Sequence, residues 1–194
     1  VIEHKGFKGL EYEAVKQFCW AYELNLPNVP ILTPEFCNPL FLKIICDTLE
    51  ASGEKDFPKG FNGVSSLFSQ YFKNLDKKFA EKRPEYKYRD VVSAAVKLLA
   101  FPIFEAKYNI LNIKDADSLL QQQFPSCHNL LADLIDNNLL LKTKNSFDEE
   151  NIDGVVFSYQ RISDFIIARE IVNKFQDWES FAENINTDKT LHSI

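Results

Sequence analysis

The sequence predicts a mainly α fold, a helical bundle subdomain followed by a winged-helix domain with a small β-hairpin. Three observations predict it. Apolar residues recur at three- and four-residue spacing over most of the 194 residues, the pattern of helices that bury one face. Strand character is confined to two short runs, residues 139–144 and 155–159, on either side of a polar, acidic loop. Three helical segments precede those runs and one strong helix follows, which is the element order of a winged helix.

The first helix is expected over residues 11–23, where Val15, Phe18, Cys19 and Tyr22 fall on one stripe. Residues 24–37 follow with prolines at 27, 30 and 34. Each proline fixes φ and removes an amide donor, so the reading is an extended connector. The next helix begins at Asn38-Pro39. Asparagine can cap a helix with its side chain, and proline suits the first turn, where no amide bond is lost. Leu40, Phe41, Leu42, Ile44 and Ile45 surround the axis, so this helix should be buried nearly all round, to end near Ser52 and Gly53. Residues 54–63 read as a loop. Val64, Leu67, Phe68, Tyr71, Phe72, Leu75 and Phe79 then form the cleanest stripe in the chain, terminated by a charged end and Pro84.

A second unit opens after Tyr86-Lys87-Tyr88, with the boundary placed between residues 83 and 90. Residues 90–107 carry Val92, Ala95, Val96, Leu99 and Ile103 inward, and Pro102 should kink or end this helix. A short helix at 114–123 holds Ala116, Leu119 and Leu120. Another begins at Ser126 or Cys127, with Leu130, Leu131, Leu134 and Ile135 inward. The hairpin comes next. The last strong helix covers 162–175, burying Phe165, Ile166, Ile171 and Val172. Trp178 and Phe181 lie in the start of a following helical segment. The expected organisation is residues 1–84 helical, 85–176 winged helix, and 177–194 the following segment.

At 45% hydrophobic and 26% charged residues the composition is globular. A chain of this length buries roughly 70% of its unfolded surface and needs no disulfide or metal staple. The net charge of −6 and pI near 5.2 argue against broad electrostatic binding to DNA, RNA or an anionic membrane. No apolar run approaches the roughly 20 residues of a membrane span, and residues 1–6 show no signal-peptide pattern. Methionine is absent throughout, position 1 included, which reads as a piece excised from a longer chain. The cysteines at 19, 37, 46 and 127 have no CxxC spacing, and three have apolar neighbours. They read as buried, reduced thiols of a cytoplasmic protein.

Several kinds of chemistry are absent. There is no GxxxxGK[ST], so these residues hold no phosphate-cradling loop. There is no HExxH and no Cys/His quartet for zinc, and no metal site is expected. His4, His128 and His192 lie in three different segments. Cys127-His128 could in principle yield a thiolate, but adjacent residues on a helix point about 100° apart. Glu149 and Glu150, in the hairpin loop, look solvated and not paired for acid–base work. No catalytic residue is assigned. The recognition helix of a DNA-binding winged helix would be residues 127–137. It contains no Lys or Arg and carries Asp133 and Asp136. The hairpin loop adds Asp148, Glu149, Glu150 and Asp153, charges that phosphates repel. Used alone, such a module suits protein packing better than DNA.

Two segments together resemble a known family. Phe36-Cys37-Asn38-Pro39-Leu40-Phe41-Leu42-Lys43-Ile44 resembles the "NPLFL" helix after the nucleotide-binding core of STAND NTPases, the NACHT and NB-ARC relatives within AAA+. Phe157-Ser158-Tyr159-Gln160-Arg161-Ile162-Ser163-Asp164-Phe165-Ile166-Ile167-Ala168 resembles the end of their winged-helix domain, where a hairpin strand enters a helix. His4-Lys5-Gly6-Phe7 and the helix after it resemble the exit from the ATPase core. The resemblance covers about residues 1–176 and is nearest to bacterial antiviral STAND proteins.

The resemblance implies a switch module. In that family an upstream P-loop core binds ATP or ADP with Mg, and the AAA+ lid-like helical domain and winged helix close over it at rest. A downstream sensor domain binds a trigger, and the activated protein forms a homo-oligomer. Carried over by motif, Asn38 and Pro39 belong at the nucleotide, with Pro39 against the adenine. Pro39 is equally a helix-starting proline, and the two roles are compatible. A winged-helix histidine of the family reaches the phosphates. Here Arg161 is the basic residue of the closing motif, and its guanidinium fork would suit a phosphate. Its alternative role is a salt bridge with Asp164, which could instead cap its helix. These residues alone, without a P-loop, should bind no nucleotide and hydrolyse no ATP. The competing expectations are a stand-alone winged-helix protein-interaction or DNA-binding module, and an enzyme of unrecognised chemistry.

Overall fold

The computed structural model describes residues 6–27, 34–57, 60–87, 90–145 and 152–174, and for residues 34, 35, 60–65, 145, 152 and 171–174 it describes the backbone. The fold is mainly helical with a small three-stranded antiparallel sheet. The chain divides into two compact units, residues 1–83 and 84–194.

In the first unit, helix α1 spans Glu11–Ala21. It buries Ala14, Val15 and Cys19, while Phe18 and Tyr22 are half-buried. It stops two residues before the expected end because Glu23 takes a left-handed conformation (φ 53°). The Leu24 amide then donates back to the Cys19 carbonyl at 2.8 Å, closing the helix end. A 3-10 turn, Pro34–Cys37, occupies the end of the proline-rich connector, which is therefore not extended throughout. Helix α2, Pro39–Ser52, ends at Gly53 in the left-handed region (φ 72°), where a side chain would be strained. It buries seven residues from Phe41 to Leu49 and leaves Lys43 and Glu50 exposed.

Helix α3, Gly60–Lys82, starts three residues before Gly63, where a loop was expected. Glycine costs a helix about 1 kcal/mol relative to alanine. The buried stripe of Leu67, Phe68, Phe72, Leu75 and Phe79 outweighs that. The side chain of Val64 lies outside the described residues. Phe41 is the hub of this core: its ring lies 5.3 Å from Phe36 and 6.2 Å from Phe68, centroid to centroid. α1 and α2 are further tied by the Tyr22 hydroxyl, which donates to Asp47 Oδ1 at 2.8 Å, and Lys43 Nζ lies 2.6 Å from Asp47 Oδ2.

The second unit opens on a 3-10 turn, Pro84–Tyr86, whose buried Tyr86 donates its hydroxyl to Asp133 at 2.6 Å. Helix α4, Val91–Glu105, neither ends at Pro102 nor loses a full turn there. Pro102 sits in the last turn, where its missing amide leaves only the Leu98 carbonyl without its helical donor. Tyr108 and Asn109 follow with φ of 60° and 56°, turning the chain into β1, Leu111–Asn112. This strand was not expected. Helix α5, Ile113–Gln123, is capped by Asn112, whose Oδ1 accepts from the Lys114 amide at 2.8 Å.

Helix α6, Leu130–Asp136, begins three residues after Cys127 because residues 124–130 close two successive turns, Cys127 N to Phe124 O and Leu130 N to Cys127 O. Ile135, expected inward, is half-buried. Strands β2, Leu140–Asn145, and β3, Ile152–Phe157, form the hairpin, each shifted from the expected run. The sheet order is β1-β3-β2, with Leu111 opposite Val155 and Leu140 opposite Phe157. Helices α4, α5 and α6, then the hairpin, give this unit its winged-helix architecture. Helix α7, Gln160–Lys174, starts two residues earlier than expected and packs on α4, where Lys97 Nζ lies 3.0 Å from Glu170 Oε1. Ile162, Ile166 and Ile167 are buried, while Phe165 is half-buried. The side chains of Ile171 and Val172, and the whole of 177–194, lie outside the described residues. No helix among the described residues is long and apolar enough to cross a membrane.

Candidate functional site

The residues singled out by the sequence fall in both units. In the first, Asn38 and Pro39 form the start of α2. Asn38 has extended backbone (φ −90°, ψ 117°), and its Oδ1 accepts from the amides of Leu40 at 2.8 Å and Phe41 at 3.3 Å. Two donors that the helix leaves unsatisfied are thus met by one side chain. Pro39 occupies the first helical position and is half-buried. With its oxygen committed to the cap, Asn38 would meet a ligand through Nδ2. Asn38→Ala should cost about 1 kcal/mol. Urea unfolding followed at α2 checks this, and an unchanged midpoint would contradict the cap.

The chain ahead of α1 folds back onto this helix start. The Phe7 amide donates to the Cys37 carbonyl at 2.7 Å, and the Phe7 carbonyl accepts from the Leu10 amide at 2.7 Å. Gly6 has φ 61°, and a Cβ there would strike the Cys37 carbonyl oxygen and reach Pro39 Cδ at 3.6 Å. Glu11 Oε1 accepts from the Gly9 amide at 2.8 Å and from the Cys37 thiol at 3.1 Å. The Gly9 amide first, then Glu11's own amide and the Cys37 thiol, hold its carboxyl below the usual carboxylate range. The Phe7 ring meets Phe18 of α1 edge-on at 6.2 Å. Cys37, expected among buried thiols, is half-buried and hydrogen-bonded. This cluster was not anticipated. Its local signal is the pair of glycines at 6 and 9, spaced for a turn.

In the second unit, Arg161 is the second residue of α7 and is exposed. Its Nη1 lies 3.8 Å from Asp164 Oδ2, so the foreseen ion pair is present. An exposed pair at that distance contributes at most about 1 kcal/mol. Asp164 does not cap α7. The helix begins at Gln160, which places Asp164 inside the second turn, where it accepts from Gln160 Nε2 at 3.4 Å.

Among the described residues, no nucleophile is seen paired with an activating histidine base. Cys19, Cys46 and Cys127 are buried, and none of the four cysteines is in a disulfide. Burial pushes the Cys46 thiol up to about 12 and raises that of Cys19. Tyr22 and Tyr71 are also raised, Tyr71 to about 12, burial being the larger cause in each. Cys127 points inward toward the Glu85 carbonyl at 3.9 Å while His128 is exposed, so the two do not meet as a pair. Among the described residues no group of three or more His, Cys, Asp or Glu could hold a metal ion. His4, His192, Glu149 and Glu150 lie outside the described residues. On α6 and the turn before it the exposed side chains are His128, Asn129, Ala132 and Asp136, with no cation among them.

Comparison of the chain with protein families, with curated proteins and with solved structures gave no significant match.

Proposed function

We propose that these residues are the lid and winged-helix part of a STAND P-loop NTPase, a regulatory element that closes over a nucleotide held by an upstream core in the same chain. The observation that carries this reading is the succession of a helical unit whose α2 opens on a capped Asn38-Pro39 and a winged-helix unit whose α7 opens on an exposed Arg161. Pro39 offers an apolar face to adenine and Arg161 a guanidinium to phosphate. ATP or ADP, with Mg, is the cofactor of the whole protein. The further partners on this reading are a downstream sensor domain and, once active, further copies of the same chain. Four reduced thiols suit a cytoplasmic setting, and antiviral defence is the setting that the resemblance favours.

These contacts act as a latch. ADP stabilises the closed arrangement by the difference in its affinity for the closed and open states, and exchange for ATP changes that difference. Removing a charged donor to phosphate costs roughly 1.5–3 kcal/mol. Arg161→Ala should therefore weaken ADP binding by about 10- to 100-fold, measured by calorimetry on a chain that includes the P-loop core. An unchanged affinity would contradict the role of Arg161. DNA binding is disfavoured by the cation-free α6 surface. Salt-dependent binding of duplex DNA by residues 1–194 would reverse that preference.

A further inference from the structure

We infer that the turn Gly6–Gly9, together with Glu11, is a clamp that positions the elbow Cys37-Asn38-Pro39, and that Gly6 and Phe7 are positioning residues for the nucleotide-facing end of α2. The second half of this inference rests on the functional reading above, and the first half stands without it.

Four observations converge on one elbow. The Phe7 amide is bonded to the Cys37 carbonyl at 2.7 Å. Gly6 lies against that same carbonyl with no room for a Cβ, and its φ of 61° independently favours glycine. Glu11 joins the Gly9 amide to the Cys37 thiol, so a single carboxylate oxygen holds the turn and the elbow together. The Phe7 ring anchors the turn to α1 through Phe18. Cys37, Asn38 and Pro39 are consecutive, and Asn38 is the cap of α2. Displacing the Cys37 peptide therefore displaces the cap and the Pro39 ring with it. Phe7, Glu11 and Pro39 are all half-buried, so packing alone does not hold the elbow.

The Cys37 thiol reports the state of the clamp, because it donates to Glu11 and its side chain is half-buried with the turn in place. Gly6→Ala places a methyl on the Cys37 carbonyl without altering any charge beside the thiol. Glu11 variants are less suitable, since removing the carboxylate would itself favour the thiolate. The test is N-ethylmaleimide labelling of residues 1–194, resolved by mass spectrometry at each cysteine.

Labelling of Cys37 should rise about tenfold or more in Gly6→Ala, the size expected when roughly two hydrogen bonds of the closed turn are lost. Labelling of the buried Cys19 and Cys46 should stay at the wild-type rate. An unchanged Cys37 rate overturns the clamp, and a parallel rise at all cysteines overturns it in favour of general unfolding. Amide exchange at Phe7 gives a second measurement, with fast exchange in the wild type also counting against the clamp. In a chain that includes the P-loop core, bound ADP should slow Cys37 labelling in the wild type and lose that effect in Gly6→Ala, since linkage is reciprocal. ADP that binds without slowing Cys37 overturns the positioning role. Failure to bind ADP at all overturns the functional reading, and the labelling contrast in residues 1–194 still decides the clamp.

Discussion

Phe41→Ala is expected to destabilise the first unit by about 3–5 kcal/mol, the usual cost of deleting a fully buried ring. Phe41 is 1% exposed and its ring contacts both Phe36, from the turn before α2, and Phe68 of α3. Its loss therefore opens a cavity where two separate elements meet, and neither can collapse without giving up its own packing. Domains are commonly stable by only about 5–15 kcal/mol, so most of the reserve of this unit would go. With two units in one chain, a single melting temperature is not a clean readout. Amide exchange is. Amides of residues 42–49 should lose protection while those of residues 95–103, in α4, keep theirs. A loss below about 1 kcal/mol would mean that Phe41 is not the hub of this core.

Gly154→Ala should destabilise the second unit by about 1–3 kcal/mol, the range for inserting a methyl where none fits. A Cβ at Gly154 would strike Ile110 Cγ2 and come within 3.0 Å of the Leu111 carbonyl oxygen. That carbonyl is backbone and cannot rotate away as a side-chain tip would. The least costly response is for β1 to lift off β3, since β1 is only two residues long. Faster amide exchange across residues 110–112, with the β2–β3 hairpin still protected, is the expected signature. Full retention of protection there would show that β1 does not need glycine opposite Asn112.

What the sequence revealed follows the range of the interactions involved. Helix α2 was legible from cap to cap because Asn38, Pro39 and Gly53 act on neighbours within four residues. The mainly helical fold and the hairpin were legible for the same reason, since periodicity is local. β1 was not. Leu111 and Asn112 are a strand only because Val155 and Gly154 lie beside them, more than 40 residues away in sequence. The start of α3 was misplaced because Gly60 and Gly63 carry turn propensity that tertiary packing overrides. Within the candidate site, the Asn38 cap and the Arg161–Asp164 pair were visible, the latter as an i, i+3 spacing. Asp164 as a cap was wrong because α7 begins earlier, at Gln160. The contact of Glu11 with Cys37 spans 26 residues, and no local pattern announces it.

The central claim is that both units close on a nucleotide, and hydrogen–deuterium exchange with and without ADP tests it most directly. The protein to use is the whole product of the reading frame that contains residues 1–194. The account predicts that a P-loop precedes these residues and that ADP slows exchange in two places, residues 36–42 at the start of α2 and residues 159–165 at the start of α7. ADP binding that leaves both segments exchanging at their ligand-free rates would contradict it, as would a reading frame with no phosphate-binding loop ahead of residue 1.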